Sequence, residues 1–251
     1  MKKIEGTIEK RSKNSRHPSD ELRPCQILKV TVPCLFSYCL IGMPRVGGRL
    51  LEHFNLTDDA VSLGSVLWNF LWAAILLMII PALIVSKRFG VKLSSLGTQK
   101  GDWSLGKKLL GLSLIAIPLL YFGTNDPQLI SEYPLTKVVL SKWYWFALYE
   151  VLYGFAYYIP YEFFFRGFMQ IGLNQTWNKW KGIALVTAVT TFIHWIPMYK
   201  PVSEIVGAFA VGIAFGYFAE KTRSWYYVFA IHYLIGFLND LYCGLRYLGK
   251  I

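Results

Sequence analysis

Apolar residues in this chain gather in long unbroken runs, not in the alternating or one-sided patterns of a soluble fold. The clearest run covers 65–85 without a single charge. A weaker one covers 30–43, and another 109–123. A long aromatic stretch spans 143–173; it is interrupted by Pro160 and carries Glu150, Glu162 and Arg166. Three more runs follow at 182–199, 205–219 and 224–241. A bilayer core takes about 20 predominantly apolar residues to cross as a helix, so the pattern predicts about seven spans, or eight if 143–173 splits at Pro160. Only helices and closed barrels satisfy every backbone polar group in lipid, and these runs are too long and too evenly apolar for barrel strands. The expected fold class is therefore all-α, a multi-pass transmembrane helical bundle. It divides into a basic tail at 1–29, N-terminal transmembrane helices at 30–140 and a core at 141–251.

Composition agrees. Apolar residues make up 54% of the 251-residue chain and charged residues 16%, well below the roughly 25% charged of soluble domains. The formal net charge is +11. The basic residues stand in short blocks between apolar runs, which suits membrane topology and anionic lipid better than nucleic acid. Lys87, Arg88, Lys92, Lys100, Lys107 and Lys108 follow the second run, whereas 124–136 holds Asp126 and Glu132 and no Lys or Arg. Lys179 and Lys181, then Lys221 and Arg223, come later. Placing basic loops inside puts the N-terminus in the cytoplasm. The start of the chain lacks a signal-peptide pattern. Trp143, Trp145, Trp177, Trp180 and Trp225 sit near run ends, where an interfacial aromatic belt would place them. Cys25, Cys34, Cys39 and Cys243 form no CxxC pair, and the last three lie in apolar runs as expected of buried free thiols.

An ionisable group at the bilayer centre costs at least about 2.5–3.5 kcal/mol to insert. Glu150, Glu162, Arg166, His194 and His232 nevertheless fall inside runs, with Glu204 and Asp240 near run ends. Glu162 and Arg166 are spaced i, i+4 and share a helix face, as an ion pair would. The three phenylalanines between them, Phe163 to Phe165, then face lipid or packed neighbours, and Gly167 permits close approach of another element. By itself each intramembrane histidine reads as a hydrogen-bonded core residue, and Glu204 as a charge in the turn after the His194 run. Two such histidines and a carboxylate on separate spans can instead build a wet polar pocket with the groups needed to activate water and stabilise an oxyanion. Asn239 lies seven residues after His232, near the same face, and Asp240 eight after. No cofactor is expected. Zinc on Glu162, His194 and His232 would lack any standard ligand spacing, and HExxH, GxSxG and Walker A motifs are absent. Gly212 and Gly216 form a GxxxG helix-packing pattern.

The order of these features resembles the CPBP family, the CAAX protease and bacteriocin-processing (Abi) group of glutamic-type intramembrane proteases, over roughly 144–241. Its first motif, two glutamates, three residues and arginine, reads Tyr161-Glu162-Phe163-Phe164-Phe165-Arg166 here, with Tyr161 in place of the first glutamate. Its Phe-xxx-His motif retains His194, with Thr190 at the Phe position; its His-xxx-Asn motif retains His232, with Gly236 at the Asn position. The resemblance implies an intramembrane endopeptidase of a bacterial cell membrane. In it Glu162 and His194 activate water, His232 with Asn239 or Asp240 holds the oxyanion, Arg166 orients Glu162, and Glu204 braces the His194 turn. The substrate is a peptide or membrane-protein segment entering near the cytoplasmic face, with lipid as the surroundings; prenylated substrates are implied by eukaryotic relatives alone. The loss of the first glutamate points to an alternative, an inactive scaffold or bacteriocin-immunity protein. A proton-linked transporter built on the same residues is a third.

Overall fold

The structure is a computed structural model describing residues 21–251; positions 1–20, most of the expected basic tail, lie outside the described residues. Helices dominate, and among the described residues there is no strand. They are α1 (Pro24–Ile41), α2 (Pro44–Leu51), α3 (Asp58–Arg88), α4 (Trp103–Gly123), α5 (Pro127–Glu132), α6 (143–174), α7 (Lys179–Trp195), α8 (Val202–Thr222) and α9 (Tyr226–Tyr247). Five of these, α1, α3, α4, α8 and α9, are long and apolar enough to cross a membrane. The aromatic stretch and the His194 run form α6 and α7. Helix α1 begins at Pro24, ahead of its apolar run, because proline's fixed φ suits the first helical position. Helix α7 stops at Trp195, short of the expected 199, where Ile196 turns to extended backbone before Pro197.

Pro160 does not split α6. The helix stays continuous, and the backbone around it opens into wide π-type turns at Gly154–Tyr158 and Phe163–Ile171. A proline lacks the N–H for the i−4 carbonyl and its ring crowds that carbonyl; widening the coil relieves both. Helix α3 widens in the same way around Pro81.

The second half of α6 is the centre of the bundle: every residue from Pro160 to Leu173 is buried. Phe163, Phe164 and Phe165 therefore pack in the core and not against lipid. Gly167 admits the backbone of Leu96 and the ring of Trp225. Gly212 and Gly216 let α8 close onto Thr187 and Ile183 of α7, and these two helices pack along their length. Lipid-compatible surface lies outside, with Val32, Phe36, Leu112, Leu119, Phe122 and Phe209 exposed. Trp143, Trp145 and Trp180 are exposed near helix ends, whereas Trp225 belongs to the core. Cys34 and Cys243 are buried free thiols, Cys39 is half-buried and Cys25 exposed.

The two ends of the bundle differ in charge. At one end Gln175 accepts from Leu22 N and donates to Ser95 O, Asp102 N donates to Thr222 O, and Tyr226 donates to Thr98 O. This end carries Lys87, Arg88, Lys107, Lys108, Lys221 and Arg223. At the other end the loop between α4 and α6 is tied across α8 and α9. Ser203 donates to Asp126, and Lys137 donates to the Ile130, Tyr133 and Pro134 carbonyls while its ammonium lies over the Tyr247 ring. Burial lowers the Lys137 pKa from its ordinary value.

Candidate active site

Glu162 occupies the buried centre of α6 and is fully shielded from solvent. One turn later, Arg166 Nε lies 3.7 Å from Glu162 Oε2, the i, i+4 pair expected from spacing. Arg166 also reaches Gln170 Oε1 at 3.5 Å, and Gln170 donates to the Gly216 carbonyl at 2.7 Å, fastening α6 to α8. The other oxygen of Glu162 meets His232 Nδ1 of α9 at 2.5 Å. Arginine, carboxylate and imidazole thus form one buried chain. Glu162 engages the Nδ1 side of the His232 ring, and His232 lines the neighbouring cavity.

His194 stands at the C-terminal end of α7, which starts at an Asn178 cap accepting from Trp180 N at 2.9 Å. Its Nδ1 is 2.8 Å from the Thr190 carbonyl. A carbonyl only accepts, so Nδ1 carries the proton and the neutral ring keeps its lone pair on Nε2. That nitrogen faces Glu204 Oε1 at 3.9 Å. Tyr133 donates to the same Glu204 oxygen at 2.8 Å and accepts from Lys200 Nζ at 2.6 Å. Lys200 is in turn 2.5 Å from Glu132 Oε1. Burial, with the Glu204 and Glu132 carboxylates beside it, pushes the Tyr133 phenol well above its usual pKa, so it remains a donor.

Both histidines line one cavity of about 290 Å³. Glu204, Lys200, Tyr158 and Tyr161 share its wall, and Arg45, stacked over Tyr199 at 5.2 Å, stands among the lining residues. Glu162 is not on the wall; it backs His232 from behind. The cavity belongs to the end of the bundle remote from the basic loops.

Residues 140–238 match the family model described as Rce1-like: Type II CAAX prenyl endopeptidase Rce1-like. Over this segment the chain is similar to that family. The segment holds α6, α7 and α8 and most of α9, and with them Glu162, Arg166, His194, Glu204 and His232. The similarity supports a membrane endopeptidase kind, in a chain whose apolar helices suit a lipid environment. No curated protein and no solved structure matches the chain.

Within the Rce1-like segment the geometry sorts the residues singled out by the sequence. Tyr161 lies on the cavity wall with its ring 5.6 Å from that of His232. Asn239 and Asp240 do not reach the cavity. Asn239 lies 3.9 Å from Cys243 Sγ, and Asp240 accepts from the Tyr149 hydroxyl at 2.9 Å beside buried Glu150. Among the described residues, no group of three His, Cys, Asp or Glu side chains gathers as metal ligands. Tyr133, Glu132 and Tyr158 are among the cavity residues that the sequence did not single out as site residues. Glu132 ends the short helix α5 and Tyr133 follows it, in a connection with no motif of its own. Tyr158 was one tyrosine among many on α6, where the rings of Tyr149, Tyr153, Tyr157 and Tyr161 meet in succession at spacing four.

Tyr158 fills a definite place. Its hydroxyl lies where a side chain at Gly236 would begin, and its ring is 4.8 Å from that of His232. Gly236 is one turn after His232, so the phenol sits beside the imidazole on the same face of α9. We expect Gly236→Ala to cost about 1–3 kcal/mol of stability through overpacking. Thermal unfolding in detergent measures it; a variant as stable as the wild type would show that Tyr158 yields freely.

Proposed function

We propose that the chain is an intramembrane endopeptidase that hydrolyses a peptide bond of membrane-associated peptides or proteins at the cavity between α6, α7 and α9. The observation that carries this reading is that His194 and His232, from different helices, line the same cavity and are each backed by a carboxylate. His194, with its lone pair on Nε2, helps hold and deprotonate a water. His232, oriented by Glu162 and presenting Nε2–H in its protonated form, stabilises the oxyanion of the tetrahedral intermediate. Arg166 balances the Glu162 charge. The sequence suggested that Glu162 and His194 share the water and that Asn239 or Asp240 assists the oxyanion. The geometry favours Glu162 acting through His232, with the Tyr158 hydroxyl as the polar group beside that ring. With the basic end inside, we place the mouth of the cavity towards the opposite side of the membrane from the cytoplasmic access that the sequence suggested.

The test is cleavage of a membrane-anchored peptide library by the purified chain in liposomes. Cleavage by the wild type is expected, falling by about 10²–10³-fold in His232→Ala and comparably in His194→Ala. Equal cleavage by wild type and both variants removes the site. Binding of peptides without any cleavage by the wild type removes the enzyme reading in favour of a scaffold.

A further inference from the structure

We propose that Glu204 is the carboxylate that accepts the proton of the attacking water, working with His194. This deepens the endopeptidase reading and rests on it. Two glutamates approach the histidines, and their surroundings differ. Glu162 has no surface on the cavity, and its oxygens are directed at His232 and Arg166. Glu204 lines the cavity. Its Oε1 accepts from Tyr133 and lies 3.9 Å from both His194 Nε2 and Lys200 Nζ. Its Oε2 is buried and has no hydrogen-bond partner among the described residues, which is costly for a carboxylate oxygen. The separation from His194 is too long for a direct hydrogen bond. A water lying within reach of both atoms would donate one hydrogen to Glu204 and one to the His194 lone pair, leaving its oxygen lone pairs for a substrate carbonyl.

The rest of the network fits a base rather than a surface charge. Tyr133, from the α4–α6 loop, fixes the carboxylate rotamer through a neutral hydroxyl. The charge of Lys200 is shared with Glu132, so Glu204 is not locked in a close ion pair. The titratable groups around Glu204 are thus His194 on α7, Lys200 in the α7–α8 turn, Glu132 at the end of α5 and Tyr133 just after it, Tyr158 and Tyr161 on α6, and His232 on α9. In the proposed step the water oxygen bonds to the scissile carbonyl carbon, the carbonyl electron pair moves onto oxygen, and Glu204 takes the water proton. Collapse re-forms the carbonyl and breaks the C–N bond. The proton passes from Glu204 to the leaving nitrogen, giving a carboxyl and an amine from peptide plus water.

The experiment compares wild type, Glu204→Gln, Glu204→Asp and His232→Ala in liposomes on a peptide that the wild type cleaves. Glutamine keeps the shape and the Tyr133 hydrogen bond, so kcat is expected to fall by about 10²–10⁴-fold with KM unchanged. The acidic limb of the pH–rate profile disappears from its residual activity. Aspartate, one methylene shorter, lowers kcat less and keeps that limb, which supplies the answer if the glutamine variant does not assemble. Wild-type kcat in either variant, or an unchanged acidic limb in Glu204→Gln, overturns the assignment. Loss in His232→Ala with full activity in Glu204→Gln refutes Glu204 alone. A wild type that cleaves no peptide of the membrane-anchored library refutes the endopeptidase reading, and the role of Glu204 with it.

Discussion

Glu162→Gln is expected to lower cleavage at least about 10²-fold, and restoring stability will not restore the activity. The side chain is wholly buried, 2.5 Å from His232 Nδ1. Glutamine keeps the volume and retains an oxygen that accepts from Nδ1. It removes the negative charge that makes this hydrogen bond charge-assisted, and such bonds are roughly twice as strong as neutral ones. The imidazole is then held less firmly, and the positive charge it carries while donating to the oxyanion loses its counter-charge. The same substitution strands Arg166, 3.7 Å away and buried. A stability loss accompanies it, and activity alone cannot separate the two effects. The double variant Glu162→Gln/Arg166→Gln can. Removing both charges of a buried pair is close to neutral for stability, so its unfolding midpoint should return towards wild type while cleavage stays low. Activity that recovers together with stability would reduce Glu162 to a structural ion pair.

Arg166→Ala carries the largest expected stability effect, about 3–5 kcal/mol. The guanidinium is buried, and its removal leaves the Glu162 carboxylate with His232 as its remaining partner at the centre of α6. Removing the arginine also breaks its contact with Gln170, the side chain that ties α6 to Gly216 of α8. Breaking one half of a buried ion pair costs far more than an exposed pair contributes, because the abandoned charge keeps its desolvation penalty. Denaturant titration in detergent, followed by helical circular dichroism, measures the effect. A change below about 1 kcal/mol would mean that water or a shift of α9 already solvates Glu162.

Much of this was legible along the chain because it is local. Run length and apolarity decide whether a segment can cross lipid, and neither depends on distant residues. The i, i+4 spacing of Glu162 and Arg166 is equally local, since helical period alone places them on one face. The glycines at 167, 212 and 216 marked close approaches that the fold uses. Pro160 was legible as a perturbation but not in its outcome: whether a proline breaks a helix or widens it depends on packing around the turn, and α6 is wholly buried from Pro160 to Leu173.

The pairing of the site residues was a different matter. Asn239 and Asp240 shared the right stretch of α9 with His232, yet the bundle sends them to Cys243 and to Tyr149. Glu204 read as a turn charge, and the structure turns it into the cavity against His194. The sequence by itself determined a helical membrane protein with Glu162 and Arg166 paired on one helix face and two histidines that needed a reason to be in lipid. Only the tertiary structure decided that Glu162 answers to His232, that Glu204 answers to His194, and that Tyr158 takes the place above Gly236. The period of a helix sets which residues share a face, but the rotation of each helix about its axis is set by packing against its neighbours, and that rotation chooses the partners.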